Sequence, residues 1–491
     1  MTNKHSRFFW AYVLVIALFA AGLSLWIGMN QSIWFDEAYS IMVAKQPVAQ
    51  AIHLAAVDTH PPLYYLLLHV WGSIVNWDVL GLRALSVGMY GASLLVAALL
   101  ARRLFGTRAG ICTAALIGVA PLLLRYGFEI RMYSLASLIG IGATYVMVRA
   151  RTAKGKHSMV LWGVYALLVA LGMYTLYYLA LLWVAHLLWL LYTTYREDNL
   201  AKIHKQAWPW AYVASVVPFL PWLPTFLKQM NNGALAPIGQ QMNLENIVGI
   251  ATFNVLYQPL WQIDVKATIV LLAAAMAWVY IARRGLTAAK KTERPYVLLL
   301  AMYVAVPVAL LILLSFSRSM YVERYLSHIA IGLIILGGVL ISLSLRKPSR
   351  VLFAAIGVAG VSMLIGVNGL IHTGNYNFQR MAKPEVAAVA KRVGDCSASN
   401  VVAADPYVYI ELAAYLPPTC SMQFYSEWDS LGGGYAPLSG SSQQLKNTQL
   451  PTGSATTYYV YYDEPKLSTD NLTVTAKERY GNLSIETLRS R

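Results

Sequence analysis

The sequence predicts an all-α polytopic membrane protein with about 11 transmembrane helices and a small C-terminal α/β domain outside the bilayer. Three observations carry this. The 491 residues are 58% hydrophobic and only 12% charged, with mean hydropathy +0.52, whereas soluble domains are about a quarter charged. Apolar runs of about 20 residues, the length that crosses hydrocarbon, recur through the first three quarters of the chain. Short basic clusters fall between alternate runs. A net charge of +16 would suggest nucleic acid in a soluble chain. Here the positive-inside bias of membrane proteins accounts for it first, and no nucleic-acid partner is expected.

In order, the runs lie at 9–29, 81–101, 109–126, 131–149, 158–175, 177–194, 208–227, 266–282, 295–315, 325–345 and 350–371. With a cytoplasmic N-terminus carrying Lys4 and Arg7, the inner loops hold Arg102, Arg103 and Arg108, then Arg149, Arg151, Lys154 and Lys156. Arg196, Lys202 and Lys205 follow, then Arg283, Arg284, Lys290, Lys291 and Arg294, and finally Arg346, Lys347 and Arg350. Every short basic cluster falls on one side, as the orientation rule requires. An odd count exports the C-terminus. The expected location is the plasma or inner membrane, with the N-terminus cytoplasmic and the C-terminus extracytoplasmic. The first run lacks a clear small-x-small cleavage site before Gln31, which favours an uncleaved anchor over a signal peptide.

The membrane domain covers 1–373, with long outer loops at 30–80 and 228–265. Residues 63–75 are apolar but too short to span. Opened by Pro61-Pro62 and carrying Tyr64, Tyr65, His69 and Trp71, they read as a helix along the outer surface. The 228–265 loop, with Tyr257, Pro259 and Trp261, reads as a lid, since loops of this length are usually functional or mobile. From 374 to 491 the runs shorten, and ten Lys and Arg face eleven Asp and Glu. Helical patterns at 384–393 and 407–416 and extended ones at 401–404, 421–425 and 457–462 read as an α/β domain. The Gly432-Gly433-Gly434 run lacks phosphate-loop spacing and reads as a flexible connection. Three cysteines are too few for a disulfide scaffold. Cys396 and Cys420 share the exported domain, in an oxidising compartment where a disulfide can form.

Of eleven acids in 1–373, only Glu197, Asp198 and Glu293 fall on the inner side; eight fall on the outer side. The outer acids have companions. Asp36-Glu37 stands among Trp34, Phe35 and Tyr39, and Asp58-Thr59-His60-Pro61-Pro62 follows. Arg125 to Tyr133 brings Glu129 and Arg131 together, and Arg318 precedes Tyr321-Val322-Glu323-Arg324-Tyr325. Such a mixture suits a lipid phosphate reacting with an acceptor. Arginine binds phosphate through its planar fork, tyrosine donates hydrogen bonds, and a carboxylate takes a proton. Each has a plainer reading as well. Asp36 is also placed to cap a helix, Asp58 and His60 to form a turn, Glu129 and Arg131 to pair at a helix end, and Arg324 to anchor an interface. Carboxylate and imidazole also suit a divalent metal.

At these residues the chain resembles the integral-membrane GT-C glycosyltransferases, in particular protein O-mannosyltransferases and the bacterial aminoarabinose and galacturonic acid transferases that act on lipid A. The likeness rests on Phe35-Asp36-Glu37-Ala38-Tyr39-Ser40, His60-Pro61-Pro62-Leu63-Tyr64-Tyr65, Glu129-Ile130-Arg131-Met132-Tyr133-Ser134 and Glu323-Arg324-Tyr325-Leu326, in this order across 9–373. It implies transfer of a sugar from a polyprenyl-phosphate donor, with inversion, to a protein, lipid or glycan acceptor outside the membrane. It maps the general base onto Asp36, with Glu37 as companion. Arg131 and Arg324 would face the donor phosphate, with Tyr133 and Tyr325 beside them. His60 stands where the lipid A enzymes place a positive group. Some relatives bind a divalent metal, for which Asp58, His60 and Glu129 are the available ligands. No nucleotide cofactor is implied, since no nucleotide-binding motif appears. Two rivals are a ligase moving a whole glycan from a pyrophosphate carrier and a non-enzymatic transporter. The second predicts ionisable groups near the midplane of the spans, where this chain has almost no acids.

Overall fold

Among the described residues, nine helices are long and apolar enough to cross a bilayer: Arg7–Met29, Val79–Phe105, Tyr133–Thr152, Gly155–Met173, Ala207–Asn231, Val265–Ala288, Arg294–Ser315, Arg324–Ser344 and Arg350–His372. The computed structural model describes residues 2–197, 200–231, 244–257, 263–317, 320–373, 385–396, 398–451 and 456–490. A tenth run is the pair Thr107–Gly118 and Pro121–Phe128, bent by 67°. Pro121 opens the second piece, where its missing N–H costs nothing and its ring prevents a straight continuation.

The sixth expected span, 177–194, forms a helix, Leu179–Arg196, of only 18 residues, about 27 Å long at 1.5 Å per residue. Its last turn is Tyr192-Thr193-Thr194-Tyr195-Arg196, which shortens the apolar part. Among the described residues there are therefore nine or ten candidate spans where the hydropathy pattern suggests eleven. Tyr257 is described, but parts of the expected lid (232–243 and 258–262, with Pro259 and Trp261) and Arg318 lie outside the described residues.

The chain divides into two compact units. One is built from Met1–Trp26 with Arg83–His372, the other from Ile27–Leu82 with Thr373–Arg491. The first outer loop thus belongs to the same unit as the C-terminal segment.

In the helical unit, Ser327–Ser344 is buried along nearly its whole length. Glycine makes this burial achievable: a Cβ on Gly338 would stand 2.6 Å from Thr113 Cα, and one on Gly332 would enter the Tyr303 ring. Small residues let helix backbones approach where no hydrophobic force drives them together. The five basic clusters expected on the inner side also meet one another. Arg103 donates to Thr152 Oγ1 at 2.9 Å, Arg108 to the Leu345 carbonyl at 3.4 Å, and Arg284 to the Lys347 carbonyl. Arg151 pairs with Glu197 at 3.0 Å and Arg346 with Glu293 at 2.5 Å. The Arg346 fork holds the Glu293 carboxyl below the usual carboxylate range.

In the other unit, helix Phe35–Ala44 packs on Leu63–Ile74 and on Pro406–Ala413. The C-terminal segment forms a six-stranded sheet of β1 Ser399–Ala403, β2 Ser421–Tyr425, β3 Gln444–Leu445, β4 Thr456–Tyr462, β5 Leu472–Tyr480 and β6 Leu483–Ser490, in the order β3-β2-β1-β4-β6-β5. The first four are parallel to one another, while β6 runs antiparallel to β4 and β5. Val402, Tyr459, Tyr461, Leu472 and Leu488 build its core. Cys396 and Cys420 form a disulfide with Cα atoms 5.1 Å apart.

Candidate active site

Helix Phe35–Ala44 starts at Trp34, whose extended backbone (φ −116°, ψ 175°) marks the turn into it. Asp36 and Glu37 fill its first turn, where exposed N–H groups and the helix dipole favour carboxylates. The two neighbours are used differently. Glu37 is wholly buried, and its Oε2 accepts the Trp34 N–H at 3.4 Å, the backward reach of a capping box. Asp36 keeps part of its surface exposed, and its carbonyl accepts the Ser40 hydroxyl at 2.8 Å.

The start of this helix is fastened to the C-terminal segment of the same unit. Phe35 stacks on Tyr407 at 4.6 Å and meets Tyr435 edge-on at 5.4 Å. Ile33 N–H donates to Tyr415 Oη at 2.7 Å, and Ala387 N–H donates to Ser32 Oγ at 3.1 Å.

Asp58 ends helix Val48–Val57, its N–H donating to the Leu54 carbonyl at 3.0 Å. His60 Nδ1 lies 3.5 Å from Asp58 Oδ2 and 2.7 Å from Thr59 Oγ1, and all three residues are buried. The two residues expected to act together here are thus paired. Glu129, the third expected metal ligand, belongs to the other unit, where Arg125 Nη1 donates to its Oε2 at 2.9 Å, with both side chains buried. Among the described residues, no group of three His, Cys, Asp or Glu is placed to hold a metal ion. No chemical step is routed through a metal.

Within the helical unit, Arg131 and Tyr133 follow Glu129 at a tight bend, where Arg131 N–H donates to the Glu129 carbonyl at 2.7 Å. Both are buried, and the Tyr133 ring meets Tyr126 at 5.0 Å. Arg324 lies on the short 3₁₀ turn Glu323–Leu326, its guanidinium 5.7 Å from the Tyr325 ring. Tyr325 rests on Tyr178 at 5.0 Å, and Tyr178 Oη donates to the Met320 carbonyl at 2.5 Å. The expected site residues therefore divide: Asp36, Glu37, Asp58 and His60 in one unit, Glu129, Arg131, Tyr133, Arg324 and Tyr325 in the other.

Residues 59–224 match the family profile described as dolichyl-phosphate-mannose-protein mannosyltransferase. Two structures of ArnT from Cupriavidus metallidurans share the fold over nearly the full length. The apo form gives a TM-score of 0.62 at 12% identity over 97% of both chains. The form bound to undecaprenyl phosphate gives 0.60 at 14% identity over 99% of this chain and 98% of the other. The chain has the ArnT fold, and residues 59–224 are similar to the mannosyltransferase family. An Archaeoglobus fulgidus oligosaccharyltransferase tethered to an acceptor peptide aligns more loosely, with a TM-score of 0.51 at 12% identity over 84% of this chain and 64% of that one. No curated protein sequence matches.

Three features of the structure escape a reading of its sequence. The Arg125–Glu129 pair carries a legible signal, the i,i+4 spacing that brings two side chains together on a helix. Phe35 reaches Tyr407 and Tyr435 across more than 370 positions of sequence, which no local pattern encodes. Helix Val48–Val57 is short and carries no charge of its own, and its apolar period alone would have marked it.

Proposed function

We propose that the protein transfers one sugar from a polyprenyl-phosphate donor to a hydroxyl-bearing acceptor on the extracytoplasmic face, with inversion at the anomeric carbon. The observation that carries the reading is the fold shared end to end with a transferase that has been seen holding undecaprenyl phosphate. The ordered motifs at Asp36, His60, Arg131 and Arg324 support it, as does the sidedness of the acids.

Asp36 takes the acceptor proton as the acceptor oxygen attacks the sugar carbon opposite the phosphate. The new oxygen–carbon bond forms as the carbon–oxygen bond to the phosphate breaks, and the phosphate leaves with the electron pair. One base and one displacement give inversion, unlike the two-step retaining route. Arg131 and Arg324, with Tyr133 and Tyr325, meet the charge left on the lipid phosphate, the kind of preorganised stabilisation that dominates many barriers. Glu37 holds the helix turn that aims Asp36. His60, paired with Asp58, supplies an imidazole to the same loop.

The test is transfer in purified membranes from a radiolabelled undecaprenyl-phosphate sugar and, separately, from a nucleotide sugar. Label from the lipid donor alone should reach the acceptor fraction. Transfer from the nucleotide sugar with no lipid intermediate would contradict the donor class. Comparing surface glycans with and without the protein, by mass spectrometry, then identifies the sugar.

A further inference from the structure

A cavity of roughly 390 Å³ opens beyond the C-terminal ends of β1 and β2, lined by Asp405, Tyr407, Glu427, Trp428, Tyr435 and Lys466 among others. Its place follows from topology. The chain leaves β1 for β2 on one side and returns to β4 on the other, and in such sheets the crevice outside the strand ends at the reversal is where ligands bind. Trp428 is 62% exposed, although a large aromatic is ordinarily well covered. Its loop is nevertheless fixed: Gln444 Nε2 donates to the Ser426 and Trp428 carbonyls at 3.1 and 2.7 Å, and Trp428 N–H donates to Ser426 Oγ at 3.2 Å. An indole face is thus presented to solvent from an anchored loop.

The polar groups beside it are charged. Tyr425 Oη donates to Glu427 Oε1 at 3.1 Å. Lys466 Nζ pairs with Asp405 Oδ2 at 2.9 Å, while Asp405 also caps helix Pro406–Ala413 through the Val408 N–H at 3.0 Å. A pyranose ring has the complementary make-up, with a C–H face that packs on an aromatic plane and a rim of hydroxyls that donate to carboxylates. The wall of the cleft also leads to the candidate base. Tyr407 and Tyr435 line the cavity, and both touch Phe35, the residue before Asp36.

We propose that this cleft binds a saccharide, one sugar ring seated on Trp428 with its hydroxyls on Glu427 and Lys466, and that the saccharide is part of the acceptor. Its role as acceptor rests on the transferase reading above; the binding itself does not. The test uses the full chain, purified in detergent, on immobilised hexose, hexosamine and uronic-acid oligosaccharides, with a serine- and threonine-rich peptide as comparison. The expected result is retention on at least one saccharide class. Trp428→Ala and Glu427→Gln should each weaken it about tenfold with unchanged thermal unfolding, since both side chains are exposed. Asp36→Asn should bind saccharide as the parent does while losing transfer. If Asp36→Asn still transfers but Trp428→Ala loses the saccharide, the catalytic reading fails and the cleft stands. Retention of the peptide alone, absence of any saccharide binding, or saccharide binding by Trp428→Ala equal to the parent overturns the proposal.

Discussion

Glu129 and Asp36 occupy opposite ends of their helices, and the helix dipole opposes a negative charge at one and favours it at the other. Glu129 follows the last residue of Pro121–Phe128, where the helix dipole opposes a negative charge. It is buried there with Arg125 at 2.9 Å. Asp36 lies in the first turn of Phe35–Ala44, where the helix end itself supports a negative charge, and it remains partly exposed. The helix start favours the charge of Asp36, whereas the charge of Glu129 is opposed by its helix end and balanced by a buried arginine.

The largest effect expected from this contrast is on folding. Glu129→Gln leaves the Arg125 charge buried without its balancing carboxylate, which should cost about 3–5 kcal/mol and show as a much lower unfolding temperature in detergent. Adding Arg125→Met should recover a large part of it. If Glu129→Gln instead unfolds like the parent and loses activity only when divalent metal is withheld, Glu129 is a ligand and the comparison breaks.

That division was partly readable beforehand. Hydropathy and basic clusters gave the helices and their alternation because a bilayer constrains every span by length and charge in the same way. The bend at Val119–Ala120 and the polar end of Leu179–Arg196 altered the count because local chemistry overrides average hydropathy. The hairpin Leu472–Tyr480 to Leu483–Ser490 was missed although Gly481-Asn482 is a two-residue turn signal, and Gly481 adopts φ +63°. Polar alternation on an exposed edge gave too little apolar contrast to reveal its strands. Motifs located Asp36, Arg131 and Arg324 as residues, but the seating of Phe35 on Tyr407 and Tyr435 depends on distant contacts.

A smaller effect sharpens the comparison within the acidic pair. Glu37→Ala removes the backward hydrogen bond to Trp34 and should cost about 1 kcal/mol, with a fall in transfer as the first turn loosens. Glu37→Gln keeps a side chain able to make the capping box and should restore both stability and transfer. A glutamine variant that is stable yet as inactive as one lacking the base would make Glu37 a participant in the chemistry.

The most direct measurement of the central claim is the single-turnover rate of Asp36→Asn with a polyprenyl-phosphate sugar, alongside its unfolding temperature and donor affinity. Loss of a general base should slow transfer about 10²- to 10⁴-fold with folding and donor binding unchanged. Transfer at the parent rate would contradict the assignment of Asp36 as the base.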